Sequence, residues 1–145
     1  MYSHILIATD GSEIARRALV HGLKLAKTTG ARATVVTVTE PFTNVMTGEL
    51  AVAFPPAEYE RMAAANARAI FADVRKAAAE VDIEVETEHV SGRFAAAGIV
   101  ETAKDMGCDL IVMASHGRRA IRRLLLGSQA LDVLTNTDIP VLIVR

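Results

Sequence analysis

A single cysteine, Cys108, excludes an internal disulfide and suits a reducing compartment. With no tryptophan, two tyrosines and four phenylalanines, the chain has no row of aromatic faces on which unpaired bases would stack. An excess of one charge is missing too. Sixteen Lys and Arg against 17 Asp and Glu leave a net charge of −1, which argues against a dedicated nucleic-acid binder. No apolar run approaches the roughly 20 residues of a membrane span. The opening MYSHILIATD lacks the basic segment, long apolar run and cleavage site of a secretory leader. These absences predict a soluble globular protein of the cytoplasm.

Half of the residues, 51%, are apolar. A chain of 145 residues buries roughly 68–70% of the surface its unfolded form exposes. One domain spanning residues 1–145 is therefore expected. HILIATD (4–10) reads as a strand ending at Asp10-Gly11-Ser12. From Ser12 the spacing turns helical, with Ile14, Ala18, Leu19, Gly22, Leu23 and Leu25 on one face. Ser12 or Asp10 caps that helix and Gly30 ends it. ATVVTVTE (33–40) is β-branched enough for a second strand. Residues 41–56 have no period and carry prolines at both ends, which reads as a long loop acting as a lid or partner contact. An alanine-rich helix is expected over 57–80, with Tyr59, Met62, Ile70, Phe71 and Val74 as its larger apolar residues.

IEVETEHV (83–90) alternates, with Glu84, Glu86 and Glu88 on the wet face, as a strand at a sheet edge would. A helix near 95–106 precedes DLIVMAS (109–115), an unalternating strand buried on both faces. A last helix over 128–136 leads to PVLIVR (140–145), a fifth strand. Alternating strand and helix predict an α/β fold with a parallel sheet covered on both faces. The uniformly apolar fifth strand either lies inside the sheet of a monomer or pairs with its own copy at an edge; these residues alone leave both open.

Open sheets of this class bind ligands at the carboxyl ends of their strands, where strand order reverses. Two such ends carry polar and glycine chemistry, TDGSE after the first strand and ASHG after the fourth. No phosphate loop of the Gly-x-x-x-x-Gly-Lys-Ser/Thr type occurs, and no Gly-x-Gly-x-x-Gly follows a strand. The acidic pair and phosphoacceptor aspartate of a receiver domain are missing as well. What remains is Gly117, nine residues, then Gly127-Ser128 at a helix start. Two glycines allow close backbone approach, and a helix N-terminus favours an anion through its N–H groups and dipole. The plainer reading makes Ser128 an N-cap and Gly117 a turn.

Arg118, Arg119, Arg122 and Arg123 crowd the same stretch. The first two follow Gly117 directly and suit phosphate; the other two suit a solvated face beside Leu124, Leu125 and Leu126. His116 has no nucleophile beside it and is read as structuring its loop. His4, His21 and His89 lack the company of a metal site, so no protein metal cage is expected. Cys108 reads as a small core residue, and Met46, Met62, Met106 and Met113 as packing.

Taken together, TDGSE, VTVTE, DLIVMASHGRRAIRRLLLGSQA and PVLIVR resemble the universal stress protein family over the whole chain. The family's nucleotide motif, Gly-x-x-Gly, nine residues, Gly-Ser/Thr, is matched at Gly117, Gly127 and Ser128 and broken at Ala114. The resemblance implies a three-layer Rossmann-like sandwich with a five-stranded parallel sheet in the order 3-2-1-4-5, and a homodimer formed through the last strand. It also implies ATP binding. Asp10 and the backbone at Ala8 and Val38 would hold adenine and ribose, and Ala114 and Gly117 would lie against ribose and phosphates. Gly127, Ser128 and Gln129 would meet the phosphate tail, with Mg²⁺ held by phosphate oxygens. The expected function is a nucleotide-responsive regulator of stress responses. The alternatives are a nucleotide-free interaction module and a slow ATPase or self-phosphorylating protein, for which no water-positioning residue is evident.

Overall fold

A computed structural model of the chain describes residues 1–116 and 126–145. In chain order the described elements are β1 (His4–Ala8), α1 (Glu13–Thr29), β2 (Arg32–Thr39), α2 (Phe42–Val45), α3 (Glu49–Ala53) and α4 (Pro56–Glu80). They continue with β3 (Glu86–Ser91), α5 (Ala95–Asp105), β4 (Leu110–Ala114), α6 (Ser128–Asn136) and β5 (Val141–Val144). The sheet has five strands in the order β3-β2-β1-β4-β5, and every pairing is parallel.

Alternate residues of each inner strand face opposite layers, so one sheet feeds two cores. Ile5, Ile7, Val35, Leu110 and Val112 pack against Leu19 and Leu23 of α1 and Ile70, Phe71 and Val74 of α4. Leu6, Val36, Ile111 and Met113 face Ile99 and Val100 of α5 and Ala130 and Val133 of α6. β1 and β4 are buried at every position, which is why their sequences do not alternate.

The ends of α1 follow the sequence. The Ser12 hydroxyl accepts from the N–H of Ala15 at 3.3 Å, and Gly30 closes the helix at φ 71°, a left-handed angle that glycine tolerates best. Residues 41–56 are not one irregular loop. They hold the short helices α2 and α3, anchored where Phe42 meets Tyr59 edge-on at 5.4 Å and the Tyr59 hydroxyl donates to the Glu40 carbonyl at 2.7 Å. One-turn helices bury too little to impose a period on their sequence, and Leu50 and Val52 are exposed. Met62 is half exposed as well, so it does not serve as packing.

β3 alternates as read, but its pairing with β2 begins at Glu86 opposite Thr34, three residues after the start expected at Ile83. Ile83 and Val85 pack on the α1/α4 core before pairing begins. β5 lies at the opposite edge, and all four of its residues are half-buried. The alternative of an interior fifth strand is thereby removed.

Candidate functional site

Strand order reverses between β1 and β4, so their carboxyl ends lie side by side at the top of the sheet. At the first end the chain turns sharply. The Asp10 carboxylate accepts from the N–H of Ser12 at 2.9 Å, Gly11 adopts φ 79°, and its N–H donates to the Thr9 hydroxyl at 3.2 Å. Asp10 lines a cleft of about 130 Å³. Thr37, Val38 and Thr39 of β2 form one wall; Asn66, Ala67 and Ile70 of α4 form the other. Asp10 and Val38, expected from the sequence, thus share one cleft. The Val38 side chain turns towards α5, where Gly98 leaves room for it: a Cβ there would stand 2.9 Å from both Val38 methyl carbons. Ala8, the last residue of β1, is buried.

At the second end, Ala114 closes β4, pairs with Val144 and is buried. Among the described residues the one non-glycine positive φ belongs to Asp82, so Ala114 keeps an ordinary extended backbone. The Ser115 N–H continues the pairing to the Val144 carbonyl at 2.9 Å. Its hydroxyl lies 3.0 Å from Nδ1 of His116, in keeping with a loop-structuring histidine.

α6 begins against this strand end. The Gly127 N–H donates to the Ser115 carbonyl at 2.7 Å, and the Leu131 N–H donates to the Gly127 carbonyl at 3.0 Å. Gly127, at φ −63° and ψ 154°, is therefore the N-cap, and Ser128 is the first helical residue. This corrects the plainer sequence reading in which Ser128 caps the helix. The glycine at 127 is required by close approach, since a Cβ would lie 2.7 Å from the Ser115 oxygen and 3.2 Å from the His116 Cα. What comes close is the chain's own backbone. Ser128 is exposed and Gln129 half-buried in the first turn of α6. That turn has N–H groups with no intrahelical acceptor. Gly117, Arg118 and Arg119 lie outside the described residues, as do Arg122, Arg123, Leu124 and Leu125.

His4, His89 and the cysteine serve the frame, whereas His21 is exposed on α1. His4 is buried with Nδ1 3.2 Å from the Met106 carbonyl and Nε2 2.8 Å from the Thr34 hydroxyl. A carbonyl only accepts, so Nδ1 carries the proton and Thr34 donates to Nε2. His89 on β3 shares its Nε2 with the Thr39 hydroxyl at 2.8 Å. Burial pushes the Cys108 thiol up to about 11, with the neighbouring Asp109 carboxylate adding to the effect. At the amino ends of the strands, Asp109 accepts from the Ser3 hydroxyl at 2.7 Å and from the N–H groups of Ser3 and His4 at 2.8 and 3.0 Å. The Ser3 hydroxyl, followed by these backbone donors, holds the carboxyl below its ordinary range. Among the described residues, no group of three His, Cys, Asp or Glu is arranged to hold a metal ion.

Sequence reasoning missed Thr37, Thr39 and Asn66 as cleft residues. Thr37 and Thr39 passed as strand formers, and Asn66 sits in AAANARA, a stretch whose composition signals only a helix.

The family model for the universal stress protein family matches residues 1–145. The chain belongs to the universal stress protein family. A universal stress protein of Methanocaldococcus jannaschii, MJ0531, is 32% identical over 152 residues, covering 100% of this chain and 83% of the relative. The structure of MJ0577, from the same organism, superposes with a TM-score of 0.84 at 28% identity over 99% of this chain and 96% of that one. A universal stress protein in complex with cAMP shares the fold at a TM-score of 0.70 and 23% identity, over 99% of this chain and 97% of that one. An Archaeoglobus fulgidus universal stress protein in complex with dAMP does so at 0.61 and 21%, over 99% and 98%. The family fold and the strand order found here agree.

Proposed function

We propose that this family member binds an adenine nucleotide, ATP with Mg²⁺, where β1 and β4 end, and regulates stress responses as a cytoplasmic homodimer. The observation that carries the reading is the docking of the α6 N-terminus onto the end of β4 through Gly127 and Ser115. That contact aims a helix N-terminus at the strand-order reversal, where its N–H groups and dipole favour phosphate. The Asp10 cleft supplies the neighbouring space for base and ribose. Relatives of the same fold in complex with cAMP and dAMP support an adenine nucleotide.

Each residue then has a task. Asp10 accepts from ribose hydroxyls, while the backbone of Ala8 and Val38 borders the base. Ala114 and Gly117 border ribose and phosphates, Arg118 and Arg119 add positive charge, and Gly127, Ser128 and Gln129 donate to the phosphate tail. Mg²⁺ belongs on phosphate oxygens, as is usual for this ion. The half-buried edge strand β5, with Leu131 and Leu134 exposed on the adjoining layer, supports dimerisation through the last strand, residues 140–145.

Calorimetric titration with Mg²⁺ and ATP tests the reading on the native chain and on Ala114→Gly, which restores the family motif. Binding in both is expected, tighter in the glycine variant by a few-fold. No heat from either at millimolar ATP would end the proposal.

A further inference from the structure

The cleft between β2 and α4 has polar chemistry that phosphate binding leaves unused. Thr37 is only 6% exposed, and its hydroxyl has no hydrogen-bond partner among the described residues although the side chain lines the cleft. Thr39 beside it is already engaged by His89. On the opposite wall stands Asn66, one helical turn before Ile70 and therefore on the same stripe of α4. Its carboxamide likewise makes no hydrogen bond with any described residue. Around it α4 offers alanine methyls, so Asn66 is the polar group this wall presents, with Ala67 and Ile70 as apolar surface for the face of a ring.

We propose that Asn66 reads the base of the bound nucleotide and selects adenine over guanine. This rests on the nucleotide-binding reading above. A carboxamide offers one donor and one acceptor side by side. Adenine presents the complement, an N6 amino donor beside the N7 acceptor, whereas guanine presents two acceptors, O6 and N7. Asn66 therefore satisfies adenine through two bonds and leaves its own oxygen facing O6 when guanine enters. The Thr37 hydroxyl, able to donate or accept, adds a contact that either base tolerates.

Titration of the native chain and of Asn66→Ala with Mg²⁺ and either ATP or GTP tests this. Asn66 is exposed on a helix and alanine is the best helix former, so the variant keeps its fold, which circular dichroism verifies. The native chain is expected to bind ATP at least about tenfold more tightly than GTP, and the variant to narrow that ratio to within about threefold, mainly by weaker ATP binding. An unchanged ratio in the variant overturns the role of Asn66 and leaves ATP binding standing. A native chain that binds neither nucleotide overturns the proposed function and this inference with it.

Discussion

The N–H of Gly127 and the carbonyl of Ser115 meet at 2.7 Å, and a methyl group on Gly127 would stand at the same 2.7 Å from that oxygen. One glycine thus ties the start of α6 to the end of β4 and leaves no room for any other residue. Because the obstacle is backbone, it does not rotate away. Gly127→Ala is expected to cost about 1–3 kcal/mol of stability through overpacking. If ATP binds as proposed, moving the helix N-terminus is expected to weaken that binding by at least about tenfold, since 1.4 kcal/mol already equals that factor. Denaturant titration and calorimetry measure the two effects, and a fully stable, fully binding variant contradicts the assignment.

Gly98 performs a related task beneath the cleft. A Cβ there would meet both methyl carbons of Val38 at 2.9 Å, and a β-branched side chain has few other rotamers to adopt. Alanine gains roughly 1 kcal/mol of helix propensity, against an overpacking cost of about 1–3 kcal/mol. Gly98→Ala is therefore expected to unfold at lower urea, and to lower nucleotide affinity because β2 shifts where it lines the cleft. An increase in the urea midpoint would show that Val38 yields freely.

Asp109 links acid sensitivity to the amino ends of the strands. Its carboxyl is held below the ordinary 3.8, chiefly by the Ser3 hydroxyl, so the native state remains ionised where the unfolded chain takes up a proton. The resulting stability is present above about pH 4 and lost as pH falls through the lowered native value. Asp109→Asn should cost about 0.5–1 kcal/mol at pH 7, a modest figure because the group is partly exposed. The gap between native and variant should close below pH 3.8 in urea titrations; a gap independent of pH would refute the assignment.

Cys108 shows the opposite sign. Its thiol is raised from 9.0 to about 11, so its contribution to stability is intact below pH 9 and declines as pH rises towards 11. At pH 8 the native thiolate fraction is roughly 100-fold below that of an unfolded chain, a two-unit difference. A disulfide reagent should label the native protein correspondingly slowly and the urea-unfolded chain at once. Equal rates would place Cys108 at the surface.

The sequence carried the fold because its periods were strong. The unalternating DLIVMAS (109–115) announced a strand buried on both faces, and the three glutamates at 84, 86 and 88 announced an edge. Two local placements at the candidate site were legible as well, Asp10 directly after the first strand and Gly127-Ser128 at the opening of a helix. The identity of the N-cap was not legible, because a serine next to a glycine fits either position until the Gly127–Ser115 contact decides. Nor were Thr37 and Asn66 legible. Facing a cleft depends on how α4 lies across β2, a tertiary relation that AAANARA does not encode. The helices at 42–45 and 49–53 lacked a signal for the same reason, since their geometry comes from anchors such as Phe42 on Tyr59.

The central claim is that an adenine nucleotide lies across the ends of β1 and β4 at the start of α6. Backbone amide NMR of the isotopically labelled chain, titrated with ATP and Mg²⁺, tests it most directly. The account predicts saturable shifts concentrated at Asp10–Ser12, Thr37–Thr39, Ser115–His116 and Gly127–Gln129, with Ser3, His4 and Asp109 unmoved. No shifts at millimolar ATP, or shifts centred on the amino ends of the strands, would contradict it.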